Sequence, residues 1–263
     1  MEKSHTFRIS VVSYLNAKPY LVALSHLPKD LFHIEEDVPA QCAQKLIAGD
    51  VDLGLIPAAV IPTLNHPHLI PEFGIAANGK VDSVLLLSKI PISKVQAVVL
   101  DTESRTSVQL ARILAHEYWK IQPTWLNESE AGKPIDSGEH ATVVVIGDRA
   151  LELASKYEFA YDLAEVWKDH TGLPFVFAAW VSARAIPDAI VETLTKVFEE
   201  ASMPDESLLD VLQAGHPHVN VREYLTKRIN YRLGEAEHKG LRCFLEKLGS
   251  AKSIPASGAA ETR

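Results

Sequence analysis

The chain has 263 residues, 47% of them apolar, and a formal net charge of -8, which is enough material for one large domain or two compact ones with filled cores. The negative charge is spread without a long block of one sign, so neither nucleic acid nor an anionic membrane is an expected partner, and an anionic ligand needs locally positive potential. No apolar stretch reaches the length of a signal peptide or membrane span, which makes the cytoplasm the expected location. Its two cysteines, Cys42 and Cys243, lack the Cys-x-x-Cys spacing of zinc knuckles and redox motifs and read as buried free thiols.

In chain order, a strand over 8–12 breaks into Ser13-Tyr14-Leu15-Asn16-Ala17-Lys18-Pro19. Ser13, Tyr14 and Asn16 put neutral donors and acceptors at a strand's carboxyl edge, and Pro19 suits the first turn of a following helix. Ligands bind at that edge in open α/β sheets, although the same residues can simply cap a helix. A helix over 39–48, stopped by Gly49, leads into Asp52-Leu53-Gly54-Leu55-Ile56-Pro57, a strand over 53–56 that brings Pro57 to another sheet edge. Asp50 and Asp52 lack the third oxygen ligand of a calcium loop.

Further strands are expected over 83–87, 95–100, 142–146 and 175–181, and further helices over 107–119, 148–156, 187–200, 205–213 and 221–231. This alternation predicts an α/β fold. The middle of the chain reads as an insertion: one lobe comprises residues 1–88 and 178–263, the other residues 89–177. The strands over 83–87 and 175–181 then act as a double hinge beside a cleft. The segment 250–263, rich in Ala, Ser and Gly, is expected to be a disordered tail.

Two strand ends carry further polar groups. Asp101-Thr102-Glu103-Ser104-Arg105-Thr106-Ser107 opens the amphipathic helix with free N–H groups, three hydroxyls from Ser104, Thr106 and Ser107, and the cation Arg105. A carboxylate or phosphate fits there, where capping alone needs one hydroxyl. Ile146-Gly147-Asp148 repeats the arrangement more weakly. Asp148 can cap the next helix, and a capping carboxylate has a lowered pKa and makes a poor base. His66-Pro67-His68 and His216-Pro217-His218 lack the companion spacing of zinc sites. Phosphate loops, Gly-x-Ser-x-Gly elbows and Cys-His pairs are missing as well.

Taken with Val81-Asp82-Ser83-Val84 and Thr171-Gly172-Leu173-Pro174-Phe175-Val176-Phe177-Ala178, these motifs form one ordered pattern. It resembles chorismate dehydratase of the futalosine route to menaquinone over roughly residues 7–245. The resemblance implies a type II periplasmic-binding-protein-like fold, with two α/β lobes joined by two hinge strands. It implies a hydro-lyase, free of metal and organic cofactor, that takes chorismate to 3-[(1-carboxyvinyl)oxy]benzoate. Asn16 and Ser83 would then lie against the ring and its leaving hydroxyl as catalytic residues. Ser13, Tyr14, Pro57, Ser104, Arg105, Thr106, Ser107, Gly147, Asp148, Pro174 and Phe175 would bind substrate.

The chemistry asks for loss of the C3 proton and the C4 hydroxyl, and these motifs offer Ser, Thr, Asn and one capped Asp. The substrate's own enolpyruvyl carboxylate is therefore the expected base, with Asp148 as the protein alternative. Two other functions stay open at this level. One is the sister enzyme that makes 1,4-dihydroxy-6-naphthoate on the same fold; the other is a non-catalytic solute-binding protein for a small carboxylate.

Overall fold

The computed structural model describes residues 6–101 and 103–251. Its strands are β1 (Phe7–Val12), β2 (Phe32–Asp37), β3 (Leu53–Pro57), β4 (His68–Ala77), β5 (Val84–Ser88), β6 (Ala97–Leu100), β7 (Thr124–Leu126), β8 (Thr142–Ile146), β9 (Phe159–Asp162), β10 (Phe175–Ser182) and β11 (Asn230–Arg232). The helices are α1 (Lys18–Ser25), α2 (Pro39–Ala48), α3 (Arg105–Glu117), α4 (Glu128–Ala131), α5 (Gly147–Leu153), α6 (Leu163–Thr171), α7 (Asp188–Ala201), α8 (Glu206–Gly215), α9 (Val221–Glu223) and α10 (Glu235–Ala251). A π-helical turn, Tyr224–Arg228, follows α9 directly. None of the described helices is long and apolar enough to cross a membrane.

Two sheets result, in the orders β11-β4-β10-β3-β1-β2 and β7-β6-β8-β5-β9. In each, a parallel group (β2, β1 and β3; β7, β6 and β8) meets antiparallel partners. The continuous apolar run of β8 suits a strand covered on both faces, and all five of its residues are buried. At the opposite extreme β2 edges the first sheet and carries Glu35 and Glu36, charges that discourage further pairing. Pro39 opens α2, and Gly49, at φ +77°, closes it in the left-handed conformation.

Both chain crossings between the sheets start from one place. The chain leaves the first sheet at Ala77 and returns at Phe175, and these residues are register partners in the β4–β10 ladder. Each strand lies wholly in one sheet, so the crossings fall at strand ends. This corrects the sequence-based lobe boundaries. β5 belongs with the second sheet because it pairs antiparallel with β8 and β9, while residues 175–177 belong with the first.

The first core is organised around Tyr20, whose ring meets Trp180, Phe198 and Tyr231 edge-on at 5.3 Å each. Its hydroxyl, fully buried, donates to the Gly74 carbonyl at 2.9 Å. Other expectations need correction. The helix expected over 221–231 gives way to the π-turn and then β11, which edges β4. Cys42 is buried but Cys243 is only half-buried. α10 extends through Ser250 to Ala251, and the rest of the expected tail lies outside the described residues.

Candidate active site

The carboxyl ends of β1 and β3 face the N-termini of α3 and α5 across a cleft of about 550 Å³, open solvent at its mouth included. Tyr14, Asn16, Pro57, Ser83, Ser104, Arg105, Thr106, Ser107 and Gly147 all line it, so the structure brings together most residues singled out in the sequence.

Four of them lie elsewhere. Ser13 continues the β1–β2 ladder, its amide donating to the Asp37 carbonyl at 2.9 Å. Pro174 turns its carbonyl to the Trp167 indole N–H at 3.3 Å, and Phe175 is fully buried between Trp167 and Phe244. An irregularity in the β4–β10 register between Val176 and Ala178 presents Phe177 and Ala178 to the cleft in their place. The fourth, Asp148, does not cap α5. Its Oδ1 accepts from the Leu15 amide at 3.2 Å, and burial raises its pKa against the opposing pull of that hydrogen bond, the reverse of the lowered value expected from capping.

One wall gathers donors at a helix start. α3 is capped by Ser104, whose Oγ accepts from the Ser107 amide at 3.1 Å, and Thr106 Oγ1 accepts from the Ala59 amide at 3.2 Å. Each of these hydroxyls therefore keeps its hydrogen for a ligand. Arg105 and Thr106 also open the helix with N–H groups that have no intrahelical acceptor, at the positive end of the helix dipole. Arg105 is exposed at the mouth and makes no ion pair among the described residues.

The adjoining wall explains Gly147. Its φ of +63° suits glycine, and a Cβ there would stand 3.0 to 3.1 Å from the Tyr14 ring carbons. Tyr14 in turn donates its hydroxyl to Glu103 Oε2 at 2.5 Å, and burial, then this bond, hold its pKa well above the usual tyrosine value. Arg149 anchors the group by pairing with Glu103 at 3.0 Å and with buried Asp101 at 2.8 Å. Sequence reasoning passed over Arg149, although it directly follows Asp148.

Opposite lies a neutral polar pair. Ser83 Oγ accepts from the Tyr224 hydroxyl at 2.7 Å, and the Ser83 carbonyl accepts from the Gly147 amide at 2.8 Å. The Asn16 carbonyl accepts from the Tyr231 hydroxyl at 2.8 Å, whereas its side-chain Oδ1 is buried without a partner. Tyr224 and Tyr231 were not recognised in the sequence, because they fall in a segment that reads as an ordinary helix. Val12, Ile75, Val81 and Phe177 complete an apolar surface. Among the described residues, no Asp, Glu, His, Lys or Cys lines the cleft.

A family model described as menaquinone biosynthesis matches residues 7–250. The chain belongs to that family. Within it, the chain is similar to the chorismate dehydratase of Thermus thermophilus, being 31% identical over 245 residues that span 83% of this chain and 87% of the relative. The chorismate dehydratase of Campylobacter jejuni is 26% identical over 244 residues, 89% of this chain and 94% of that protein. Among solved structures, protein AF1704 from Archaeoglobus fulgidus superposes with a TM-score of 0.74 at 14% identity, covering 95% of this chain and 99% of its own. The alkanesulfonate-binding protein SsuA from Xanthomonas axonopodis reaches 0.64 at 17% identity, covering 97% and 96%. These likenesses show a type II periplasmic-binding-protein fold, two α/β lobes with a cleft between.

Proposed function

We propose that the cleft removes water from chorismate to give 3-[(1-carboxyvinyl)oxy]benzoate, as a cofactor-free hydro-lyase of menaquinone biosynthesis. The observation that carries this reading is a serine-capped helix start with free donors in a cleft that, among the described residues, no Asp, Glu, His, Lys or Cys lines. Ser104, Arg105, Thr106 and Ser107 hold one substrate carboxylate, and Pro57, Tyr14 and Gly147 form the walls beside it. Charge that develops as the C3 proton leaves is stabilised by those fixed donors, as in an oxyanion hole.

The enolpyruvyl carboxylate takes the C3 proton. The C–H electron pair becomes the new ring double bond, the C4 oxygen departs with its bonding pair, and the carboxylate's proton completes the water. Asn16 and Ser83 orient the ring and the leaving hydroxyl without ionising. Residues 7–77 with 175–251 form one lobe in this reading and residues 84–162 the core of the other, closing on substrate about the two crossings.

Purified protein incubated with chorismate should consume it and release the aromatic enol ether, followed by ultraviolet absorbance and chromatography. Chorismate left unchanged overturns the reading, and binding without turnover makes the chain a solute-binding protein instead. Ser83→Ala is expected to lower kcat/KM by about a hundredfold or more, in keeping with loss of a contact to the leaving group.

A further inference from the structure

Tyr224 lies outside the cleft lining, yet it makes the one protein hydrogen bond that reaches Ser83 Oγ among the described residues. The contact joins two distant parts of the chain. Ser83 ends the crossing from β4 to β5, and Tyr224 opens the π-helical turn that follows α9. Both side chains are buried, with relative exposures of 1% for Ser83 and 3% for Tyr224. A π-turn is a rare local structure, costly to keep in place of a regular helix and frequent at functional sites. Here it is also held by charge, since Arg228 pairs with Asp82 at 2.8 Å and with Glu223 at 2.9 Å.

The direction of this bond matters. A serine hydroxyl has one hydrogen and two acceptor positions, and it rotates to suit its neighbours. When Tyr224 donates to Ser83, an acceptor position is used and the serine hydrogen is left without a protein acceptor among the described residues. Burial raises the Tyr224 pKa, against a lowering by the Ser83 bond, so the phenol stays protonated and remains a donor. The Asn16 carboxamide stands beside the same phenol, and its Oδ1 is buried and unpartnered.

We propose that Tyr224 is a positioning residue for the dehydration: by donating to Ser83 Oγ it commits the serine hydrogen to the substrate's departing hydroxyl. The proposal rests on the reading of Ser83 as the contact to that hydroxyl. Tyr224 touches no reacting atom and acts only through Ser83.

The test is a double-mutant cycle on chorismate turnover with Tyr224→Phe, Ser83→Ala and both together. Tyr224→Phe keeps the ring and removes only the donor. It is expected to lower kcat about tenfold with KM within about twofold of wild type. In the Ser83→Ala background the same change is expected to cost nothing further, because the hydrogen it orients is already gone. A thermal melt close to wild type for Tyr224→Phe separates this from general loss of structure. Unchanged kcat in Tyr224→Phe, or an equal loss in both backgrounds, overturns the proposal while the functional reading stands. No turnover by wild type overturns the functional reading and the proposal with it.

Discussion

Asp148 shows how burial and chemistry separate at a single residue. Its carboxyl accepts from the Leu15 amide, away from the cleft lining, and burial raises its pKa above the ordinary carboxylate value. Charge on it at neutral pH therefore costs the folded state stability, and the cost fades as pH falls through the raised value and the proton returns. Asp148→Asn keeps an oxygen for Leu15 and removes the charge. The variant is expected to melt above wild type at pH 7 to 8 and to converge with it as the pH falls to about 4, near the value of a free carboxyl. Calorimetry across that range checks this, and a gap constant with pH contradicts it. Turnover within about threefold of wild type is expected alongside, because a residue that bonds Leu15 is not the base.

Elements differ in how much of themselves they reveal. α3 and β8 are plain in the sequence, since α3 has an amphipathic pattern behind a serine cap and β8 is an apolar run, Val143 to Ile146, opened by a threonine. β4 hides because Pro71, Glu72 and Gly74 break its alternation, although its second half is buried in the first sheet. α10 hides for a related reason: Gly240 and Gly249 weaken its helical signal. Gly240 is required by packing, since a Cβ there would fall 2.0 Å from the Pro174 carbonyl oxygen. The α3 cap yields a prediction at this scale. Ser104→Ala removes both a helix cap and a donor to the anion, so it is expected to cost about 1 kcal/mol in urea denaturation. KM for chorismate should rise about tenfold with a smaller change in kcat, and unchanged KM would show that the carboxylate binds elsewhere.

At the level of the molecule, Lys247 on α10 pairs with Glu117 on α3, and hydrogen bonds at the cleft also tie the two halves among the described residues. Tyr14 donates to Glu103, the Leu15 amide to Asp148, and the Ala59 amide to Thr106. Both crossings leave from the Ala77–Phe175 pair, so a small rotation there can open all three. Tyr14→Phe deletes one tie and leaves Glu103 paired with Arg149. The free variant is expected to show a larger radius of gyration than wild type by small-angle X-ray scattering, with KM raised about fivefold as closure becomes harder. Identical scattering and KM would show that Tyr14 serves the wall and not closure.

The sequence by itself determined the α/β class, the polar turn after β1, the serine-capped, hydroxyl-rich start of α3 and the glycine at 147, because each depends on local pattern: an apolar run, a cap or a tight turn. Only the tertiary structure decided that Phe177 and not Phe175 faces the cleft, that Asp148 turns to Leu15, and that Tyr224 reaches Ser83. These depend on a register irregularity and on contacts between residues up to 141 positions apart. Such pairings have no local signature, since the free energy that selects them comes from burying and hydrogen-bonding groups the chain brings together only when it folds.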